Sequence, residues 1–172
     1  VILADHLGWP AIAWFENGAL RIRDLDISLE FWAANVDGLN DCAVDDPRLT
    51  VIGTSRCDET GDFQAPDRGF IWRPNEPADP TILGTLGGWS SVPLGVNTQG
   101  DVVGWSDTKN QGQQAFLFKD GVMSNLNSMA ETGKATLKFA SDINDDGDIV
   151  GFMGIPRPVS EQRGFLLRPI SP

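Results

Sequence analysis

The feature that most constrains this chain is that it repeats itself. Gly95-Val96-Asn97-Thr98-Gln99-Gly100-Asp101-Val102-Val103-Gly104-Trp105 recurs 47 positions later as Asp142-Ile143-Asn144-Asp145-Asp146-Gly147-Asp148-Ile149-Val150-Gly151-Phe152. An earlier copy is divided. Gly38-Leu39-Asn40-Asp41 matches the first half and Thr50-Val51-Ile52-Gly53-Thr54 the second, with about six extra residues in the turn between them. A second element recurs beside the first: Arg68-Gly69-Phe70-Ile71-Trp72-Arg73-Pro74, Ala115-Phe116-Leu117-Phe118-Lys119-Asp120-Gly121 and Arg163-Gly164-Phe165-Leu166-Leu167-Arg168-Pro169, with Ala13-Trp14-Phe15-Glu16-Asn17-Gly18 as a fourth form. Such a chain is an array of one supersecondary unit, in which each copy buries its apolar side against a neighbour.

The units read as short strands and tight turns. Apolar runs flank Asn17-Gly18 and Asp120-Gly121, dipeptides suited to two-residue hairpin turns of type I′. Asn40, Asn97 and Asn144 each open a turn, where a side-chain amide is expected to bond the backbone two residues on. Gly53, Gly104 and Gly151 follow the Val/Ile pairs and suggest a close approach or a bulge. Phe70, Phe116 and Phe165 share one repeat position and Trp105 and Phe152 another. Aromatics recurring in every unit are expected to fill the seams between sheets. Leu29–Val36 reads as a further strand, Met129–Lys134 as one short helix, and Gly61–Asp67 and Ile155–Gln162 as loops. With two prolines, Asn75–Pro80 is excluded from a central strand.

The expected fold is therefore all-β: a single repeat domain over 1–172, with units at approximately 11–55, 68–106 and 114–152 and a final strand at 163–169. About four short antiparallel strands in each unit match a β-propeller blade. Three complete copies fall short of the four blades of the smallest common ring. The units are thus part of a larger ring, are completed by another chain, or close as a β-trefoil, which is the alternative architecture. The register at Val1-Ile2-Leu3 begins in mid-unit, as a processed or truncated product would.

Leu83–Gly88, Gly95–Gly104 and Ala115–Gly121 carry, in that order, a pattern of LGTLGG, GVNTQGDVVG and AFLFKDG. This resembles the HAF repeat family of bacterial extracellular proteins, and the resemblance covers most of the chain. The His that usually precedes Ala-Phe in that family is Gln114 here, and Gly69 and Gly164 stand at its place in the Arg-Gly-Phe copies. The resemblance implies a secreted all-β repeat domain, extracellular or periplasmic, and carries no agreed activity. In that compartment Cys42 and Cys57, which flank the return strand of the copy with the enlarged turn, are expected to pair as a disulfide. Closing a loop of that size is worth about 3 kcal/mol by loop entropy. The other reading is two unrelated buried thiols.

Chemistry is sparse. The balance of 24 acidic to 13 basic residues gives a net charge of −11, which argues against a phosphate-backbone partner and for a solvated acidic surface. No run approaches the roughly 18 apolar residues of a membrane span. Asp142, Asn144, Asp146 and Asp148 have the alternate oxygen spacing of a calcium loop, with Gly147 at the sharp turn. Met153, however, stands where the closing bidentate Glu belongs, and the preceding copy has no carboxylate in the same turn. The competing reading is an acidic hairpin turn, so calcium is the one cofactor considered. The single His6 and the absence of a G-x-S-x-G sequence speak against nucleophilic catalysis. No feature selects a carboxylate pair for glycoside hydrolysis. Trp89, outside the recurring aromatic positions and expected in a surface turn, is the candidate contact for a glycan or a protein. Two function classes follow. The first is a non-catalytic secreted module acting through protein partners or self-association; the second is a carbohydrate-binding or carbohydrate-processing propeller.

Overall fold

The computed structural model describes residues 2–6, 9–17, 19–24, 35–43, 45–55, 66–75, 80–110, 112–155 and 161–170. Among them the strands form four antiparallel meanders. Sheet 1 holds β1 (Ile2–His6), β2 (Trp9–Glu16) and β3 (Ala19–Asp24). Sheet 2 holds β4 (Asn35–Leu39), β5 (Val51–Ser55), β6 (Arg68–Trp72) and β7 (Thr81–Ile82). Sheet 3 holds β8 (Gly87–Val96), β9 (Val102–Thr108), β10 (Gln113–Lys119) and β11 (Val122–Asn125), and sheet 4 holds β12 (Thr136–Ile143), β13 (Ile149–Ile155) and β14 (Glu161–Leu167). The protein is all-β. No strand pairing joins one sheet to another among the described residues, so the closed barrel of a trefoil is not formed there.

Each sheet contains its neighbours in sequence, and two of the connections are the tightest hairpins available. Glu16 pairs with Ala19 and Lys119 with Val122, which leaves two-residue hairpins in both places. Asn17 and Asp120 take φ of 51° and 52°, the left-handed region that Asn and Asp tolerate best after glycine. The expected hairpins are therefore present. The sheets do not coincide with the units expected at 11–55, 68–106 and 114–152. Each of those units begins in the third strand of the repeat and ends in the second strand of the next sheet, because sequence similarity has no means of marking where one sheet stops.

The recurring residues occupy one register in sheets 2, 3 and 4. Ile52 pairs with Ile71, Val103 with Leu117, and Val150 with Leu166. One position earlier in the second strand lie Val51, Val102 and Ile149, all buried and all on the opposite face. The two faces have different tasks. Ile52, Ile71 and Leu83 of sheet 2 pack on Val96, Val102, Phe116 and Phe118 of sheet 3. Val103 and Ala115, from the other face of sheet 3, pack on Leu137, Ala140, Ile143 and Ile149 of sheet 4, with Leu126 in the same cluster. The core is thus a series of seams between successive sheets.

Gly53, Gly104 and Gly151 pair across the strand with Phe70, Phe116 and Phe165. A Cβ built on Gly104 would collide with the Val92 carbonyl oxygen and lie 2.9 Å from Phe116 Cε1; one on Gly151 would collide with the Phe139 carbonyl oxygen and lie 2.7 Å from Phe165 Cζ. The glycine leaves the space its partner ring occupies. Register shifts in the first strand lie beside these sites, between Val36 and Gly38, Pro93 and Gly95, and Ala140 and Asp142. Both the close approach and the bulge expected at the Val-Gly strands are found.

Three expectations are corrected. The helical turn is a single 3-10 turn at Leu126–Ser128, before the 129–134 stretch. Asn125 caps it by accepting from Asn127 N–H, and Gly133 at φ 61° lies in a conformation incompatible with a right-handed helix. Trp89 lies in β8, in place of a turn. Phe152 does not fill a seam: it is 52% exposed, because no described sheet follows sheet 4. The strand expected at Leu29–Val36 falls outside the described residues except for its end in β4, and most of the loop expected at Gly61–Asp67 is likewise outside them.

Candidate functional site

The turns between the first and second strands of sheets 2, 3 and 4 meet at one cleft. It encloses about 560 Å³ and is lined by Asn40, Asn97, Asn144 and the acidic residues beside them, with Leu39, Val96 and Ile143 beneath. Three copies of one turn converge there because the three first strands carry their C-terminal ends to the same rim.

Each asparagine closes its own turn. Asn97 Oδ1 accepts from Asp101 N–H at 2.9 Å, and Asn144 Oδ1 accepts from Asp148 N–H at 2.8 Å. Asn40 Oδ1 accepts from Thr50 N–H at 3.0 Å, across the longer turn. The backbone repeats the pattern: the Asn N–H donates to the carbonyl of Thr50, Asp101 or Asp148. The enlarged copy therefore bulges out between two anchor points that match those of its shorter relatives. The bond reaches four residues on in the short turns, in place of the two expected, because the side chain spans the whole turn.

The other end of the amide leaves the unit. Asn40 Nδ2 donates to Asn97 O at 3.2 Å, and Asn97 Nδ2 donates to Asn144 O at 3.2 Å. The same side chain thus fixes the turn and ties its sheet to the next. Thr98 adds to the second link, its N–H and Oγ1 donating to the Asp145 carboxylate at 2.9 and 2.8 Å. These donors, foremost the Thr98 N–H and then its hydroxyl, hold the Asp145 carboxyl below the usual carboxylate range, and the Arg48 charge acts in the same direction. Among the described residues Asn144 Nδ2 has no acceptor, and the ladder ends there.

Among the described residues no group of three or more His, Cys, Asp or Glu side chains is placed to hold a metal ion. Asn144 Oδ1 is engaged by Asp148 N–H, Asp142 Oδ1 accepts from Ile143 N–H at 2.9 Å, and Arg168 Nε donates to Asp148 Oδ2 at 3.3 Å. Asp146 is exposed. The corresponding ion pair in sheet 3 joins Lys119 Nζ and Asp101 Oδ2 at 2.6 Å, so a cation over this carboxylate recurs with the turn.

Cys42 is buried and its thiol is free, so the expected Cys42–Cys57 bridge is not formed in this structure; Cys57 lies outside the described residues. Burial pushes the Cys42 thiol up, with Asp46 adding to the effect. Trp89 is 68% exposed on β8, an edge strand of sheet 3. Ser91, on the same strand, is buried and accepts from Gly69 N–H at 3.0 Å, a tie between sheets 2 and 3. His6 lies in β1, far along the chain from these groups.

Several structural ties carried no signal in single-residue reasoning. Thr98 to Asp145 was accessible only as a comparison of one position in two copies. Asn127, outside the repeat, accepts from Leu137 N–H and donates to Leu137 O, and so fixes how sheet 3 leads into sheet 4. No family model, curated protein or solved structure matches this chain. Among the described residues no helix is long and apolar enough to cross a membrane.

Proposed function

We propose that this chain is a non-catalytic β-repeat module, a structural or protein-interaction subunit of a larger assembly whose sheets are propeller-like blades of the HAF type. The observation that carries this reading is the asparagine ladder. Asn40 and Asn97 each bind the following turn, and Asn144 repeats their geometry with no following turn to bind. Repeat sheets need a neighbour or a cap at each end of a series. Asn40, Asn97, Thr98, Asp142 and Asp145 of the cleft are engaged with backbone or with each other and so serve the turns themselves. The HAF resemblance adds secretion to an extracellular or periplasmic site.

A second reading, carbohydrate binding, draws on Trp89, whose exposed indole offers an apolar face for a sugar ring. A glycan array with the wild-type chain and Trp89→Ala, together with sedimentation of the same samples, separates the two. The module reading expects a blank array and a defined associating species. Glycan binding that disappears with Trp89→Ala would overturn it in favour of the carbohydrate reading.

A further inference from the structure

We propose that the outer face of sheet 4, formed by Val150, Phe152 and Leu166 with the Asn144 amide at its rim, is an interface for a second copy of this chain. The inference rests on the module reading above and names the surface and the occupant.

Among the residues whose side chains are described, the same face occurs in sheets 2, 3 and 4 and is covered in the first two. In sheet 2 it carries Ile52 and Ile71, both buried beneath sheet 3. In sheet 3 it carries Val103, Leu117 and Trp105. Val103 is buried beneath sheet 4, Leu117 packs at the same seam, and the Trp105 ring meets Phe139 of β12 edge-on at 6.0 Å. In sheet 4 the pairing is identical, Val150 opposite Leu166 and Phe152 opposite Gly164. There Val150 is 43% exposed and Phe152 and Leu166 are each 52% exposed. Alternation places Gly154 and Gln162 on this side as well, so its two strands β13 and β14 present no charge there. The Lys138 side chain of β12 reaches this side too, its Cε 3.6 Å from where a Cβ on Gly154 would stand, so the face joins three large exposed apolar side chains to a cation at its edge, in a chain of net charge −11.

The covered faces specify the partner. Both are closed by a sheet of this same repeat, and each contact is accompanied by an Asn amide reaching a turn carbonyl of the incoming sheet. Among the described residues no incoming sheet covers sheet 4 and no carbonyl meets the Asn144 amide, at one and the same rim. A second copy supplies both. The opposite end of the series is sheet 1, whose β1 lies beside β4. Sheet 4 of one copy against sheet 1 of the next is a heterologous contact, which builds a ring if the rotation closes and a filament if it does not.

The test is sedimentation velocity of the intact chain over a wide concentration range, at low and at moderate salt, with Phe152→Asp, Leu166→Asp and Val122→Asp. Val122 is an exposed apolar residue on β11 of sheet 3 and serves as the control. The wild-type chain and Val122→Asp should associate, more strongly as salt screens the repulsion between acidic copies. Phe152→Asp and Leu166→Asp should remain folded by circular dichroism and lose association, by about tenfold or more in dissociation constant. A wild-type chain that is monomeric throughout overturns the proposal and leaves the face to a repeat sheet from another source. Association that survives both sheet 4 variants overturns it while leaving the module reading in place through a different surface. Unfolding of both variants would mean that the face is already packed within one chain, and overturns it too.

Discussion

Asn97 is the side chain whose removal most directly tests the ladder. It is 4% exposed and holds two bonds of its own, one accepted from Asp101 N–H and one donated to Asn144 O. Asn97→Ala leaves the part-buried Asp101 N–H without an acceptor, at about 1–3 kcal/mol for an unsatisfied buried donor. The Asn144 carbonyl still accepts from Gly147 N–H at 3.0 Å, so loss of its second donor adds about 0.5–1 kcal/mol. The expected destabilisation is about 2–4 kcal/mol, or a fall in Tm of roughly 5–12 °C for a chain of this size. Asn144→Ala removes the turn bond alone, from an exposed residue, and should lower stability by about 1 kcal/mol or less. Asn97→Asp is the sharper variant: it keeps the acceptor for Asp101 N–H and replaces the donor with a carboxylate facing the Asn144 carbonyl, whereas Asn144→Asp meets no such neighbour. Urea unfolding followed by tryptophan fluorescence measures all four, with the slope checked for constancy. Equal losses at positions 97 and 144, for either substitution, would refute the claim that the amide links the sheets.

Three further outcomes are expected. Gly104→Ala forces a methyl into the Val92 carbonyl and the Phe116 ring and should destabilise by about 3 kcal/mol or more, whereas Gly133→Ala, with no atom near its Cβ, should lose only about 1–2 kcal/mol through its positive φ; a common urea series compares them. Because the Asp145 carboxyl is held below its unfolded value, the unfolded chain binds the extra proton. Its contribution is therefore complete above about pH 4 and is lost as pH falls through the folded value. Melting curves between pH 3 and 6 should accordingly show a shallower acid limb for Asp145→Asn and for Thr98→Ala than for the wild-type chain. Cys42, buried and with its thiol pKa raised, should resist iodoacetamide in the native protein and label without prior reduction once unfolded; peptide mass spectrometry reads both states, and a Cys42 that labels only after reduction would restore the disulfide.

Much of the architecture was legible because repetition makes local rules redundant. Asn17-Gly18 and Asp120-Gly121 announce their hairpins through the backbone angles they tolerate, whatever surrounds them. Gly53, Gly104 and Gly151 signal a close approach or a bulge because glycine otherwise weakens a strand interior. The candidate site was half legible. The sequence placed Asn40, Asn97 and Asn144 at turn openings. Their second role, reaching into the next turn, depends on where the sheets stand in space. The calcium spacing at Asp142–Asp148 is legible as local spacing of oxygens, whereas the bonds that Asn144 and Asp148 make to Asp148 N–H and Arg168 are visible only in the tertiary structure.

The sequence by itself determined the unit: its strands, its turns, and which residues occupy equivalent places. Those are properties of short segments, and recurrence multiplies the evidence for each. Tertiary structure alone decided what covers each unit. Val103 and Val150, or Trp105 and Phe152, are indistinguishable as sequence, because burial belongs to the neighbour and not to the residue. One member of each pair faces another sheet and the other faces solvent.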